Sequence, residues 1–420
     1  MIKLDRWRGR SSKDIFNKFY INMTNNIIKF LTAGHVDDGK STLIGKLLYE
    51  TDSLYEDQIE SIKNLNRGEI DFSLFVEGLE SERRQKITID VAYRYFDYGN
   101  NKFIIADAPG HEQYTKNMAV AAANSDIAVI LIDANDGVKT QTIRHSYICH
   151  LFGIKKFIIA INKMDLVDYD QNIFDKIKRD YLAKIAELKI EGIDFVPISA
   201  IESDNIIENS PNINWYEGKT LLDLLLTAKN EQKQSQSSRF LVQNVLKSEN
   251  KRFYQGKLFG KELKVGDEIN IYPAQSKSKV KDIIFNSKTN LTIILEDEID
   301  IDRGAIFAKE EVKFGHKFGA DLIWFSNKIF NSNDSKSYYI KINHNYLEAK
   351  ISQINHLIDL DNSCYIENSQ IQQNQINDVE ILLSGNVAFD YFSGNKFTGS
   401  FLLIDKNDNE TLAVGIITRF

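Results

Sequence analysis

The residues GHVDDGKS (34–41) stand between an apolar run, NIIKFLTA, and a segment with helical character, TLIGKLLYE. Glycines at this spacing ahead of a lysine and a hydroxyl, at a strand-to-helix turn, let backbone N–H groups curl around a phosphate chain. In that reading Gly34, His35, Val36, Asp37, Asp38, Gly39, Lys40, Ser41 and Thr42 make the cradle. Lys40 reaches the β- and γ-phosphates, Ser41 ligates Mg²⁺, and the helix N-terminus adds its partial positive charge.

Three further groups follow in order at the ends of apolar runs. DAPG (107–110) closes KFIIA: Asp107 is expected to hold Mg²⁺ through water, while the turn of Pro109 and Gly110 presents the Gly110 N–H to a γ-phosphate. His111, next in the chain, is expected to place the attacking water by hydrogen bonding without fully abstracting its proton. NKMD (162–165) closes a second run, and its Asp165 can accept from both N1–H and N2–H₂ of guanine. Adenine lacks that edge, so the site would reject ATP roughly 10⁴-fold or more. Asn162 would support the base, the Lys163 stem would cover its face, and the backbone at Ser199 and Ala200 would meet O6. Between the first two groups lies RRQKITID, whose Thr88 would close over Mg²⁺ and the γ-phosphate. The ligands expected are therefore GTP or GDP and Mg²⁺, with Ser41, Thr88 and Asp107 at the metal and Lys40, Thr88 and His111 in catalysis. Val36 and Ile87 would form an apolar gate beside His111.

The elements that position these residues read as an α/β domain. From residue 27 to 229 short apolar runs alternate with helical patterns, which predicts a mostly parallel sheet with helices on both faces. One run, KITIDVAYRYFDYG, alternates with period two at Ile87, Ile89, Val91, Tyr93 and Tyr95 and predicts an edge hairpin. A Gln- and Ser-rich connector follows at 230–238, then short alternating strands without crossover helices. These predict two antiparallel β-barrels, at 239–312 and 313–420, with a basic leader at 1–26. The Asn- and Ser-rich tracts at 331–337 and 368–377 read as hairpin tips, not disordered domains.

Composition narrows the partners. The 420-residue chain has 43% hydrophobic and 26% charged residues, a globular mixture, and a formal net charge of −7, which gives no general attraction to nucleic acid. Its two cysteines, Cys149 and Cys364, are far apart and read as reduced and buried. The five histidines besides His35 and His111 form no pattern with acidic or cysteine ligands. No stretch approaches a membrane span, and the expectation is a cytoplasmic protein.

A GHVD-type phosphate loop, DAPGH and NKMD ahead of two β-domains resembles the elongation factor Tu class of GTPases over roughly residues 27 to 420. Within it, GHVDDGKSTLIGKLL, YEDQIESIKN, FVEGLESERRQKITIDVAYRYF, INKMDLVDY, DFVPISAIESDNI and DYFSGNKFTGSFLLID are similar to the GTPase subunit of bacterial sulfate adenylyltransferase. That resemblance implies a heterodimer or higher assembly. In it a separate catalytic ATP-sulfurylase subunit joins ATP and sulfate into adenosine 5′-phosphosulfate and pyrophosphate, driven by GTP hydrolysis here. A single phosphate loop and an end at Phe420 lead to the expectation of no adenylylsulfate kinase domain. An aminoacyl-tRNA carrier of the translation-factor type is the alternative. Three features depart from the family pattern: Lys86 where glycine is usual, a short segment between Lys281 and Leu295, and the sequence KINHN.

Overall fold

The structure is a computed structural model and describes residues 27–65, 70–76, 90–186, 190, 192–228, 237–248, 251–287, 289–334, 336–359 and 364–420. The leader, Lys86, Ile87, Thr88 and residues 229–236 of the connector region lie outside them.

The first domain is built on a six-stranded sheet in the order β2-β3-β1-β4-β5-β6. Its strands are β1 (Ile27–Ala33), β2 (Ala92–Tyr98), β3 (Asn101–Asp107), β4 (Ile127–Asp133), β5 (Lys156–Asn162) and β6 (Gly192–Pro197). All pair in parallel except β2, which runs antiparallel to β3 at the edge. Every residue of β4 is buried, as a central strand covered on both faces requires. On β2 the alternation has a different face from the one its tyrosines suggest. Tyr93 and Tyr95 point outward, while Phe96 is buried and stacks on Phe103 at 4.4 Å.

The register aligns the strand ends. Thr32 pairs with Asp107, and Asp133 with Asn162. The loops after β1, β3, β4, β5 and β6 therefore leave the same edge, the usual ligand edge of an open α/β sheet. Helices α1 (Lys40–Glu50), α2 (Glu56–Leu65), α3 (Thr115–Ala123), α4 (Thr140–Leu151), α5 (Gln171–Lys184) and α6 (Leu221–Ala228) complete the domain.

Two closed antiparallel barrels follow. The first contains β7 (Ser238–Ser248), β8 (Lys251–Gly260), β9 (Glu268–Tyr272), β10 (Ser276–Phe285), β11 (Asn290–Leu295) and β12 (Ile306–Ala308), in the order β10-β11-β8-β7-β12-β9. The second contains β13 (Lys313–Trp324), β15 (Tyr338–Ile342), β16 (Asn345–Asp359), β19 (Ile376–Phe389), β20 (Ser400–Ile404) and β21 (Thr411–Arg419). It closes through the β15–β16 pairing, and β17 (Cys364–Ile366) extends β16. The two Asn-rich tracts come together in the structure. Strand β14 (Phe330–Asn331) pairs with β18 (Gln370–Ile371) and joins them. Cys149 is buried, but Cys364 is exposed, contrary to expectation, because it lies on β17, a three-residue strand at the edge that pairs with β16. The KINHN hairpin packs at the seam between barrels, where Asn345 Nδ2 donates to Gly304 O at 3.4 Å.

Arg239 locks that seam. The residue is 3% exposed. Its guanidinium grips Asp390 of the second barrel with Nε and Nη2, both at 2.9 Å. Its other donors reach Ser238 O, the Glu310 carboxylate and Glu311 O at 3.0 to 3.2 Å. The fork thus satisfies its full donor set across two domains. The second barrel also shares an apolar cluster with the first domain, in which Ile323, Ile376, Phe392 and Ile416 join residues of α3 and α4.

Replacing Arg239 by Ala leaves the Asp390 carboxylate with the Thr398 hydroxyl but without its cationic partner, and is expected to lower stability by about 3 kcal/mol. Arg239→Lys, without the planar fork, should restore little of it. Urea unfolding of the two variants checks this.

Candidate functional site

The phosphate loop is shaped by left-handed backbone. Gly34, Asp37 and Gly39 have φ of 152°, 71° and 92°. The two glycines also sit where no side chain fits. A Cβ on Gly34 would lie 2.7 Å from Leu131 O, and one on Gly39 would lie 2.3 Å from Asn162 Nδ2. Helix α1 begins at Lys40 with no side-chain cap and no acidic residue in its first turn. Its first N–H groups are thus left for an anion. Lys40 is buried and folds back on the loop, donating to His35 O at 2.7 Å and Gly34 O at 3.3 Å. Burial pulls its pKa down, opposed by Asp38, Asp107 and Asp37.

Asp38 lies beneath the loop, 2% exposed, and accepts the His35 N–H at 2.6 Å. Burial pushes its carboxyl up to about 6 despite the neighbouring Lys40. Val36, Ser41 and Thr42 are half-buried. The ring of His35 keeps Nδ1 buried without a hydrogen bond among the described residues.

Asp107, 1% exposed, ends β3 beside β1, where Thr32 Oγ1 donates to it at 3.3 Å. Pro109 and Gly110 are buried against the phosphate loop. A Cβ on Gly110 would come within 2.7 Å of Lys40 Nζ, 2.9 Å of Gly34 O and 3.1 Å of Val36 N, so only glycine allows this approach. His111 is exposed, and its Nδ1 accepts from the Gln113 N–H at 3.3 Å. The ring therefore offers Nε2–H as a donor.

The loops expected to meet a base start from β5 and β6. Asn162 is buried and braces two of them: its Nδ2 donates to Asp38 O and its Oδ1 accepts from Ala200 N, each at 2.9 Å. Both ends of the amide thus join loops. Lys163, in left-handed conformation, pairs with Asp133 at 2.7 Å, which anchors the stem expected to cover a base. Asp165 is half-buried in a short 3₁₀ turn, and no described residue donates a hydrogen bond to its carboxylate. Ser199 and Ala200 are buried, and their N–H groups already bond Asp204 O and Asn162 Oδ1. A contact to O6 from that backbone would therefore share a donor.

The residues fit a nucleotide and a hard cation. The glycine-lined turn, the uncapped helix and the buried lysine suit polyphosphate, while Ser41 and Asp107 could supply hard oxygens to Mg²⁺. Among the described residues no group of three His, Cys, Asp or Glu side chains forms a metal cage.

Comparison with known proteins agrees with this geometry. Residues 25–252 match the family model of the elongation factor Tu GTP binding domain, and residues 317–418 match the GTP-eEF1A C-terminal domain-like model. The chain is 42% identical to sulfate adenylyltransferase subunit 1 of Shewanella woodyi, over 97% of this chain and 90% of that protein. It is also 42% identical to the Saccharophagus degradans protein of the same name, over 93% and 86% respectively. The chain belongs to the sulfate adenylyltransferase subunit 1 family. In fold it is similar to the S. cerevisiae Ski7 GTPase-like domain, solved bound to GTP, with a TM-score of 0.51, 16% identity and coverage of 96% and 99%.

In this member of the subunit 1 family, sequence reasoning missed one support of the phosphate loop. His145, buried on α4, accepts the Gly34 N–H with Nδ1 at 3.1 Å, and its Nε2 lies 3.0 Å from the Gln141 amide. The available signal was a histidine among the buried positions of α4, a helix that packs far along the chain from residue 34. Burial, then the charges of Lys40 and Arg144, push its pKa down to about 3.

Two outcomes follow for the nucleotide-free subunit. The folded state refuses a proton at His145 that the unfolded chain takes up below its ordinary pKa near 6.5. Stability should therefore fall as pH drops from about 6.5 toward 3. His145→Gln should show a shallower fall in urea titrations across that range. Asn162→Ala, which removes both braces, should weaken GDP binding about 10- to 100-fold in a fluorescence titration.

Proposed function

We propose that this chain is the energy-coupling GTPase subunit of a sulfate adenylyltransferase. It hydrolyses GTP so that a separate catalytic subunit can join ATP and sulfate into adenosine 5′-phosphosulfate and pyrophosphate. The observation that carries the reading is the convergence of Lys40, Asp107 and Gly110 on one phosphate turn, in a chain of the subunit 1 family.

Gly34 to Thr42 cradle the phosphates, and Lys40 neutralises charge that develops on them as the bond to the leaving phosphate breaks. Ser41, Asp107 and Thr88 would hold Mg²⁺, which when bound draws charge from the phosphate oxygens. His111 orients the attacking water through Nε2–H, placing it by hydrogen bonding without removing its proton. Asp165 selects guanine, with Lys163 over the ring and the Ser199 and Ala200 backbone at its far edge. The γ-phosphate is read by Gly110 and Thr88, whose rearrangement on hydrolysis is felt by the partner subunit.

The partner is the ATP-sulfurylase subunit in a heterodimer or larger assembly, and the setting is the cytoplasm, where the nucleotides and sulfate meet. No helix of the described residues is long and apolar enough to cross a membrane.

GTP hydrolysis should be slow for the chain alone and rise when the catalytic subunit, ATP and sulfate are added. Phosphate-release assays test this, and an unchanged rate would refute the coupling. His111→Ala should lose the stimulated rate by about 100-fold or more while keeping GTP affinity. A stimulated rate equal to that of the unsubstituted protein would remove His111 from the mechanism.

A further inference from the structure

The loops after β5 and β6 hold several non-glycine residues in left-handed backbone: Lys163, Asp168 and Tyr169 on one side, Ser203 and Asn205 on the other. Such conformations persist only where the surroundings over-determine them. Here the two loops meet at the Met164 N–H, which donates to Ile198 O at 3.2 Å, at Asn162 Oδ1, which accepts from Ala200 N, and at a bond between two side chains, in which Tyr169 Oη donates to Asp204 Oδ2 at 2.9 Å.

Both ends of that bond are built into the backbone around the residues assigned to the base. The Tyr169 N–H donates to Met164 O at 2.8 Å, closing a turn that contains Asp165. Trp215 Nε1 holds the Tyr169 carbonyl at 2.8 Å. Asp204 and Ser199 exchange backbone hydrogen bonds, so Asp204 frames the turn that contains Ala200. Its second oxygen, buried with the residue, accepts from Ser210 Oγ and from Asn212 Nδ2. Burial and the Asp204 charge push the Tyr169 hydroxyl up to about 12, which keeps it a donor.

On the opposite side the second loop is tied to the phosphate-loop helix. Lys46 donates to Ile201 O at 3.1 Å, and Ser203 Oγ donates to the Glu50 carboxylate. With that side anchored, the Tyr169–Asp204 bond acts together with the Asn162–Ala200 and Met164–Ile198 bonds in setting how far Asp165 stands from the 199–200 backbone.

We propose that Tyr169 and Asp204 are positioning residues for nucleotide-base selectivity, acting through Asp165 and the Ser199–Ala200 backbone. The proposal rests on the reading of Asp165 as the guanine-selecting carboxylate. The pair ensures that a purine must satisfy both loops at once. A base carrying N1–H and a 2-amino group for Asp165, with O6 beside them for the 199–200 backbone, gains the full set of contacts. Loosening the pair lets Asp165 drift and removes most of the advantage of the 2-amino group.

The test is competitive displacement of a fluorescent GDP derivative from the full chain by GDP, IDP and ADP. IDP differs from GDP only in lacking the 2-amino group. Tyr169→Phe deletes the hydroxyl but keeps the ring that packs on the apolar cluster of the first domain. It should cut the GDP:IDP affinity ratio about tenfold, the effect of losing one hydrogen bond to a charged group. IDP affinity and the thermal midpoint should change little. Asp204→Asn, which keeps a hydrogen-bonding partner for the tyrosine, should hold the ratio within about twofold of the unsubstituted protein, while Asp204→Ala should match Tyr169→Phe. Equal weakening of GDP and IDP in Tyr169→Phe would overturn the proposal and make the bond a general structural tie. Failure of the unsubstituted protein to prefer GDP over both IDP and ADP would instead overturn the guanine reading of Asp165 itself.

Discussion

The contact between Gly39 and the Asn162 amide is the constraint on which the site depends. Gly39 must be glycine twice over, for its φ of 92° and because any Cβ would lie 2.3 Å from Asn162 Nδ2. That closeness lets Asn162 reach the Asp38 carbonyl with one end while the other holds the Ala200 N–H. One side chain at the end of β5 thereby sets the distance between the loop for phosphates and the loop for a base. The parallel register makes this possible, because pairing Asp133 with Asn162 and Thr32 with Asp107 brings the strand ends to one level.

Charge in the turn is arranged at the expense of solvation. Lys40 is buried among Asp37, Asp38 and Asp107, and Asp38 is itself so desolvated that its carboxyl moves up to about 6. Burying such groups costs several kcal/mol each unless geometry compensates. Compensation comes from fixed dipoles: the His35 N–H on Asp38, and the Gly34 and His35 carbonyls on Lys40. A polyphosphate would add negative charge beside Lys40 and the uncapped start of α1, which is the electrostatic reason for keeping a lysine there.

The barrels give this site a body to act on. Arg239 ties one to the other by charge-assisted hydrogen bonds beside an apolar cluster in which Leu241, Ile306 and Ala308 meet Val312 and Ala388, and the second barrel meets the first domain through apolar side chains such as Ile323, Phe392 and Ile416. Directional bonds add a fixed orientation to what apolar burial holds together.

Much of the protein was legible in the chain, for local reasons. A phosphate turn demands Gly34, Gly39 and Lys40 at fixed spacing because left-handed backbone and close approach exclude side chains, and DAPG and NKMD announce themselves at the ends of apolar runs. The parallel sheet and the antiparallel barrels follow from hydrophobic periodicity. Burial of individual residues did not: Cys364 is exposed, and Tyr93 and Tyr95 face out of β2. Nor did the supports of the site. Gly34 to His145, Tyr169 to Asp204 and Arg239 to Asp390 join residues 111, 35 and 151 positions apart, and no local propensity specifies such a pair. The sequence by itself determined which backbone shapes and chemical groups the site contains, because those depend on residue type at short spacing. Only the tertiary structure decided which buried polar groups complete one another, because a hydrogen bond across the fold exists only once the strands and helices carrying its two ends have packed.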